Sequence, residues 1–170
     1  YSQKVVMLAA KRNLVVPDPQ GIRVRGIDYY TIIIEKAIKS KESGPTPGLE
    51  NFIKYLKSKN IKIGIATSGR IDIVHKLLHL LNLYDYFDSI VTSNDVENHK
   101  PHPEIYTKAA QLLGENPKGC LAIEDSIPGV TAAKASGMRC FGITTTTPKE
   151  KLEQAGVDAT VESFEETENL

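Results

Sequence analysis

The chain contains no tryptophan, and aromatic residues make up only 6% of it. So few rings leave no platform on which successive bases could stack. Charge of one sign is not in excess either, with 21 lysines and arginines against 21 aspartates and glutamates. No global field therefore draws in a polyanion, and nucleic acid is not an expected partner. No apolar run approaches the roughly 20 residues of a membrane span, and no charged-then-apolar targeting segment opens the chain. A membrane partner is not expected. The only two cysteines, Cys120 and Cys140, belong to apolar, strand-like runs and have no metal-ligand spacing. Reduced, buried thiols in a cytoplasmic protein are the expectation, with organelle import left open. A length of 170 residues suits one compact core and part of a second unit.

What is present starts with Cys120-Leu121-Ala122-Ile123-Glu124-Asp125-Ser126. Cys120 to Ile123 predict a strand, Ser126, Pro128 and Gly129 interrupt it, and a helical pattern resumes over Val130 to Ser136. Glu124 and Asp125 then sit at a strand's carboxyl end, the edge where open parallel sheets place their ligand crevice. Oxygen ligands there suit Mg²⁺, which keeps several waters and bridges to substrate phosphate. A carboxylate beside Ser126 also serves as a helix cap, but capping needs only one acid.

Two further segments end in polar residues of the same character. In His99-Lys100-Pro101-His102-Pro103-Glu104, two prolines stiffen the turn, and a helix is predicted from about Pro103 to Leu113, closed by Gly114. Lys100, held just ahead of that helix, is a candidate anion clamp; a solvated surface lysine is the alternative. Ile61 to Ala66 reads as a buried strand that stops at Thr67-Ser68-Gly69-Arg70, before an apolar-periodic helix over Ile71 to Leu81. The Thr67 hydroxyl and the amides of Ser68 and Gly69 can bind phosphate oxygens. Capping the helix uses the same orphan donors. His75 and His79 have a zinc-compatible spacing of four but no evident third ligand, so a solvated helix face is expected. Thr144 to Thr147 read as a turn before Pro148.

Ile-Gly-Ile-Ala-Thr-Ser-Gly ending at Gly69, Lys-Pro-His-Pro-Glu-Ile-Tyr from Lys100, and Ile-Glu-Asp-Ser-Ile-Pro-Gly-Val from Ile123 together resemble the motifs of the haloacid dehalogenase superfamily. The closest resemblance is to its β-phosphoglucomutase-like and small-molecule phosphatase branch, from about Pro45 onward. It implies an α/β fold: a three-layer, Rossmann-like core with a parallel sheet, plus part of a helical cap. Residues 1–44 would be the partial cap and 45–170 the core. The implied activity is Mg²⁺-dependent phosphoryl transfer to or from a small phosphorylated metabolite, with phosphatase favoured over sugar phosphomutase. Glu124 and Asp125 would hold Mg²⁺; Thr67, Ser68, Gly69 and Lys100 would bind the phosphate, with Thr67 and Lys100 acting in catalysis. Arg70 could reach a second phosphate or a sugar hydroxyl, and His102 could touch substrate.

In that superfamily an aspartate of an N-terminal Asp-x-Asp motif attacks phosphorus and forms an aspartyl-phosphate, while a neighbouring aspartate is general acid and base. Before Thr67 the only aspartates are Asp18, between two prolines, and Asp28, and neither begins such a pair. The apolar run Val5 to Ala10 suits a buried strand or a helix face alike. By the resemblance it is expected to be a cap helix, with Tyr29 to Lys39 as the cap helix returning to the core. The central strand and nucleophile would then lie upstream, in a missing N-terminal segment, or come from a partner chain. In the alternative, Val5 to Ala10 replaces the central strand in a catalytically inactive relative that binds ligands or serves a structural role.

Overall fold

A computed structural model of the protein describes the backbone of residues 5–8 and residues 44–165. It is an α/β fold built on a six-stranded sheet in which every pairing is parallel. In chain order the strands are β1 (Val5–Leu8), β2 (Lys62–Ala66), β3 (Ser89–Val91), β4 (Cys120–Glu124), β5 (Arg139–Ile143) and β6 (Ala159–Val161). Among the described residues the α-helices are α1 (Leu49–Ser58), α2 (Ile71–Leu80), α3 (Glu104–Leu112), α4 (Ile127–Ala135) and α5 (Lys149–Gln154). Across the sheet the order is β3-β2-β1-β4-β5-β6. Successive strands run outward from β1 on one side and outward from β4 on the other, so the order reverses between these two. The crevice of an open α/β sheet forms at such a reversal, outside the carboxyl ends of the strands.

The central position corrects one expectation. Val5–Leu8 is a strand and not part of a cap helix, paired with β2 on one side and β4 on the other. Short apolar runs do not declare their period, and a strand buried between two neighbours reads as an unbroken apolar stretch. Two adjacent β-branched residues, Val5 and Val6, tip the balance towards extended backbone. The centre of the sheet, expected to be supplied from outside the sequence, is thus occupied by it. The predicted cap helix over Tyr29 to Lys39 lies outside the described residues, as do Asp18 and Asp28.

Alternation along the strands divides the core into two layers, one on each face. Ile63, Ile65, Leu121, Ile123 and Ile143 face α1 and α2, where they meet Phe52, Ile53, Leu56, Val74 and Leu78. Ala66, Val91, Cys120, Ala122 and Cys140 face the other way, against Ile105, Tyr106 and Ala109 of α3 and Val130, Ala132 and Ala133 of α4. Both cysteines are buried free thiols, and burial pushes Cys120 up to about 11 and Cys140 up to about 12. Such thiols stay protonated near neutrality and behave as small apolar groups.

Boundaries follow local chemistry. α3 starts after Pro103 and ends before Gly114, whose φ of +69° suits a residue without Cβ. α4 begins at Ile127, three residues earlier than its apolar pattern predicts. Pro128 sits in the first turn, where no amide hydrogen is required, and the Ser126 side chain caps the helix by accepting from the Gly129 amide. The chain's far end is pinned beside α1: the Phe164 amide donates to Pro47 O at 3.1 Å, and the Phe52 and Phe164 rings stack at 5.5 Å. No helix among the described residues is long and apolar enough to cross a membrane.

Candidate active site

Register decides what meets at the crevice. Leu8 pairs with Ile65 of β2 and Ile123 of β4, so the residues that follow those two isoleucines emerge at the same level beside the end of β1. These are Ala66 and Thr67 on one side and Glu124 and Asp125 on the other. Thr67, Glu124, Asp125 and Ser126 are all buried polar residues, between 1% and 8% exposed. Polar burial on this scale needs partners, because each unmatched donor or acceptor costs about 1–3 kcal/mol.

Glu124 is matched on both oxygens. Oε1 accepts from Lys100 Nζ at 2.5 Å and from the Tyr106 hydroxyl at 2.6 Å. Oε2 accepts from the Asp125 amide at 3.1 Å, the Ser126 amide at 3.2 Å and Ser126 Oγ at 3.0 Å. Gly129 walls the carboxylate in, for a Cβ there would stand 1.9 Å from its carbon and from Oε1. Lys100, its side chain only 8% exposed, also donates to Ala66 O at 3.0 Å, and its ammonium lies 4.8 Å from the Tyr106 ring centroid. The loop before α3 is thereby tied to the ends of β2 and β4. Burial, and then the Glu124 carboxylate beside it, holds the Tyr106 phenol well above its ordinary range, so it remains a donor.

Asp125 is held from a different loop. Thr146 Oγ1 lies 2.8 Å from both the main-chain oxygen and Oδ2 of Asp125, so its single proton is shared between two acceptors. On the β2 side, the Gly69 amide donates to Thr67 Oγ1 at 3.0 Å. That loop is braced from behind. Ser93 donates from its amide and hydroxyl to Gly69 O, and Asn94 Oδ1 accepts from the Ile71 amide at 3.1 Å.

The structure therefore brings together Thr67, Lys100, Glu124 and Asp125, with Ser68 and Gly69 at the rim. The Gly69 amide is already turned to Thr67, which sets the threonine's orientation. The two residues assigned to substrate point to other contacts. Arg70 pairs with Asp72 at 3.2 Å on the surface, and His102, with its side chain 52% exposed, accepts from the Glu104 amide at 3.3 Å. His75 and His79 pack on Tyr84, with ring centroids 5.2 and 4.1 Å away. Tyr106 and Thr146 were not singled out from sequence. A tyrosine on the apolar face of α3 was a usable signal, since a buried phenol finds a partner. Thr146 carried none, because a hydroxyl in a turn already has a local explanation.

The donor set fits a hard cation. Glu124 and Asp125 are both buried and only Glu124 is paired with the Lys100 ammonium, so these three residues bury one more negative charge than positive, and every candidate ligand atom is oxygen. Among the described residues no group of three or more histidine, cysteine, aspartate and glutamate side chains converges. Mg²⁺ does not require such a cage, being held by one or two carboxylates with waters and phosphate oxygens.

The sheet is doubly wound and parallel, with a hydroxyl, a lysine and paired acids at three strand and loop ends, and the chain belongs to the haloacid dehalogenase-like hydrolase family, whose profile matches residues 16–143. Among curated relatives, it is 33% identical over 109 residues to Hexitol phosphatase B of Escherichia coli, covering 63% of this chain and 49% of that protein. It is 39% identical over 97 residues to Beta-phosphoglucomutase of Bacillus subtilis, covering 57% of this chain and 42% of that one. The crystal structure of beta-phosphoglucomutase from Clostridium difficile superposes with a TM-score of 0.68 at 30% identity, over 81% of this chain and 57% of that one. The chain thus spans about half the length of the curated relatives it matches.

Proposed function

We propose that this chain forms the catalytic core of a Mg²⁺-dependent enzyme that transfers the phosphoryl group of a small phosphomonoester, chiefly to water. The observation that carries the reading is the convergence of Thr67, Lys100, Glu124 and Asp125, buried at the switch point of the sheet. Phosphoryl transfer asks the protein mainly for positioning and charge stabilisation. Lys100 supplies a fixed positive charge, Thr67 and the Ser68 amide supply donors to phosphate oxygens, and Asp125 with Glu124 behind it supplies the negative side that favours a cation. Mg²⁺, when bound, would offset the charge of the phosphate and orient it. The residue that accepts the phosphoryl group is expected outside the described residues, so the activity is proposed for the polypeptide that carries it.

Relatives whose names include a hexitol phosphatase and a phosphoglucomutase support a phosphorylated sugar or polyol as the substrate class. The test is phosphate release from a panel of sugar phosphates, polyol phosphates, nucleotides and phosphoglycolate, with Mg²⁺ and with a chelator. Release that needs Mg²⁺ and falls by two or more orders of magnitude in Asp125→Asn is the expected outcome. Release unaffected by the chelator, or undiminished in Asp125→Asn, would overturn it.

A further inference from the structure

We propose that Thr146, in the turn after β5, is a positioning residue that sets the Asp125 carboxylate for its cation. The inference deepens the Mg²⁺ reading above and rests on it. Its basis is a pair of hydrogen bonds that one side-chain hydroxyl makes to one acid. Glu124 is fixed by five donors from three segments, with Gly129 closing the remaining side. Asp125 lies one residue past the end of β4, and the side-chain hydroxyl of Thr146 reaches it across 21 residues of sequence at 2.8 Å from Oδ2 and 2.8 Å from its main-chain oxygen. Two contacts from one atom to one residue restrain both the backbone turn and the side-chain torsions. A hydroxyl that restrains those torsions lessens the ordering that has to be supplied when the cation binds.

The turn that holds Thr146 is itself anchored through the sheet. β5 pairs with β4 up to the level of Glu124 and Gly142, and the Thr144 amide donates to Val161 O at 3.0 Å just beyond β5. The hydroxyl is thus presented from a braced element. Partners of this kind typically change metal affinity by about 10–100-fold when removed.

The experiment is Mn²⁺ binding, followed by the electron paramagnetic resonance of the free ion, on the wild-type chain, Thr146→Val and Thr146→Ser, with melting temperature measured alongside. Thr146→Val is expected to weaken Mn²⁺ binding about tenfold or more while Thr146→Ser, which keeps the hydroxyl, stays within about twofold. If the valine variant does not fold, Thr146→Ala takes its place, being smaller than either side chain. A valine variant that binds Mn²⁺ as the wild type does would overturn the role of Thr146 while leaving the Mg²⁺ reading standing. Equal weakening in the serine and valine variants would also overturn it, since the hydroxyl would not be what matters. A wild-type chain that binds no Mn²⁺ overturns the Mg²⁺ reading first, and this inference with it.

Discussion

Replacing Glu124 by glutamine changes one oxygen into NH₂ and leaves the shape intact, yet the fold should tolerate it poorly. The carboxylate receives five donors, two at Oε1 and three at Oε2. An amide presents one acceptor and two donors, so whichever way it is turned its NH₂ faces at least the two donors at Oε1 or the three at Oε2. Each buried group left unmatched costs about 1–3 kcal/mol. Lys100 also loses the counter-charge at 2.5 Å that balances an ammonium only 8% exposed, and breaking a buried pair on one side costs about 3–5 kcal/mol. These are two views of one loss, so about 3–5 kcal/mol in total is expected, a large part of the roughly 5–15 kcal/mol typical of a domain. Urea unfolding without divalent cations should show this as a lower midpoint at unchanged slope. Lys100→Met should cost less, because four of the five donors to Glu124 survive it. A Glu124→Gln chain within about 1 kcal/mol of wild type would refute the claim that this carboxylate is the anchor of the site.

Gly129→Ala tests the same wall from the other side: helix propensity alone would favour alanine within α4 by about 1 kcal/mol, but its Cβ would lie 1.9 Å from the Glu124 carboxyl carbon. A lower melting temperature is expected, and a higher one would contradict the packing. Acid sensitivity is predicted from Asp158. Burial pushes its pKa up, but the Lys134 ammonium at 2.7 Å and the Cys140 amide at 2.7 Å outweigh this and hold it below the ordinary carboxylate range. Its contribution to stability is therefore present above the unfolded-state pKa of about 3.9 and lost as pH falls through the lower folded value. Asp158→Asn should be less stable than wild type at pH 6, with the gap closing below about pH 4 in urea titrations; a gap that stays constant with pH would rule the linkage out.

Much of the site was legible from single segments. Apolar runs that stop at Thr67 and at Glu124-Asp125, and the prolines that follow Lys100, are local signals, each readable within about ten residues, and the strands and helices around them formed within one to three residues of the predicted bounds. Val5–Leu8 was not legible, because four apolar residues in a row fit a buried strand and a helix face equally. Pairing with β2 and β4 settles it, and pairing is not a local property. The different partners of the adjacent acids were hidden for the same reason. From sequence, Glu124 and Asp125 are equivalent candidates for a cation.

The sequence by itself determined the elements that flank the site, the family resemblance and the candidates Thr67, Lys100, Glu124 and Asp125, since these follow from side-chain period and from short motifs at strand ends. Tertiary structure decided which strand is central and what each acid is committed to. Lys100 and Tyr106 approach Glu124 from 24 and 18 residues away, and Thr146 approaches Asp125 from 21. Hydrogen bonds over such separations exist only once the sheet has set its strands in register, which is why the same two carboxylates have different partners in the folded chain.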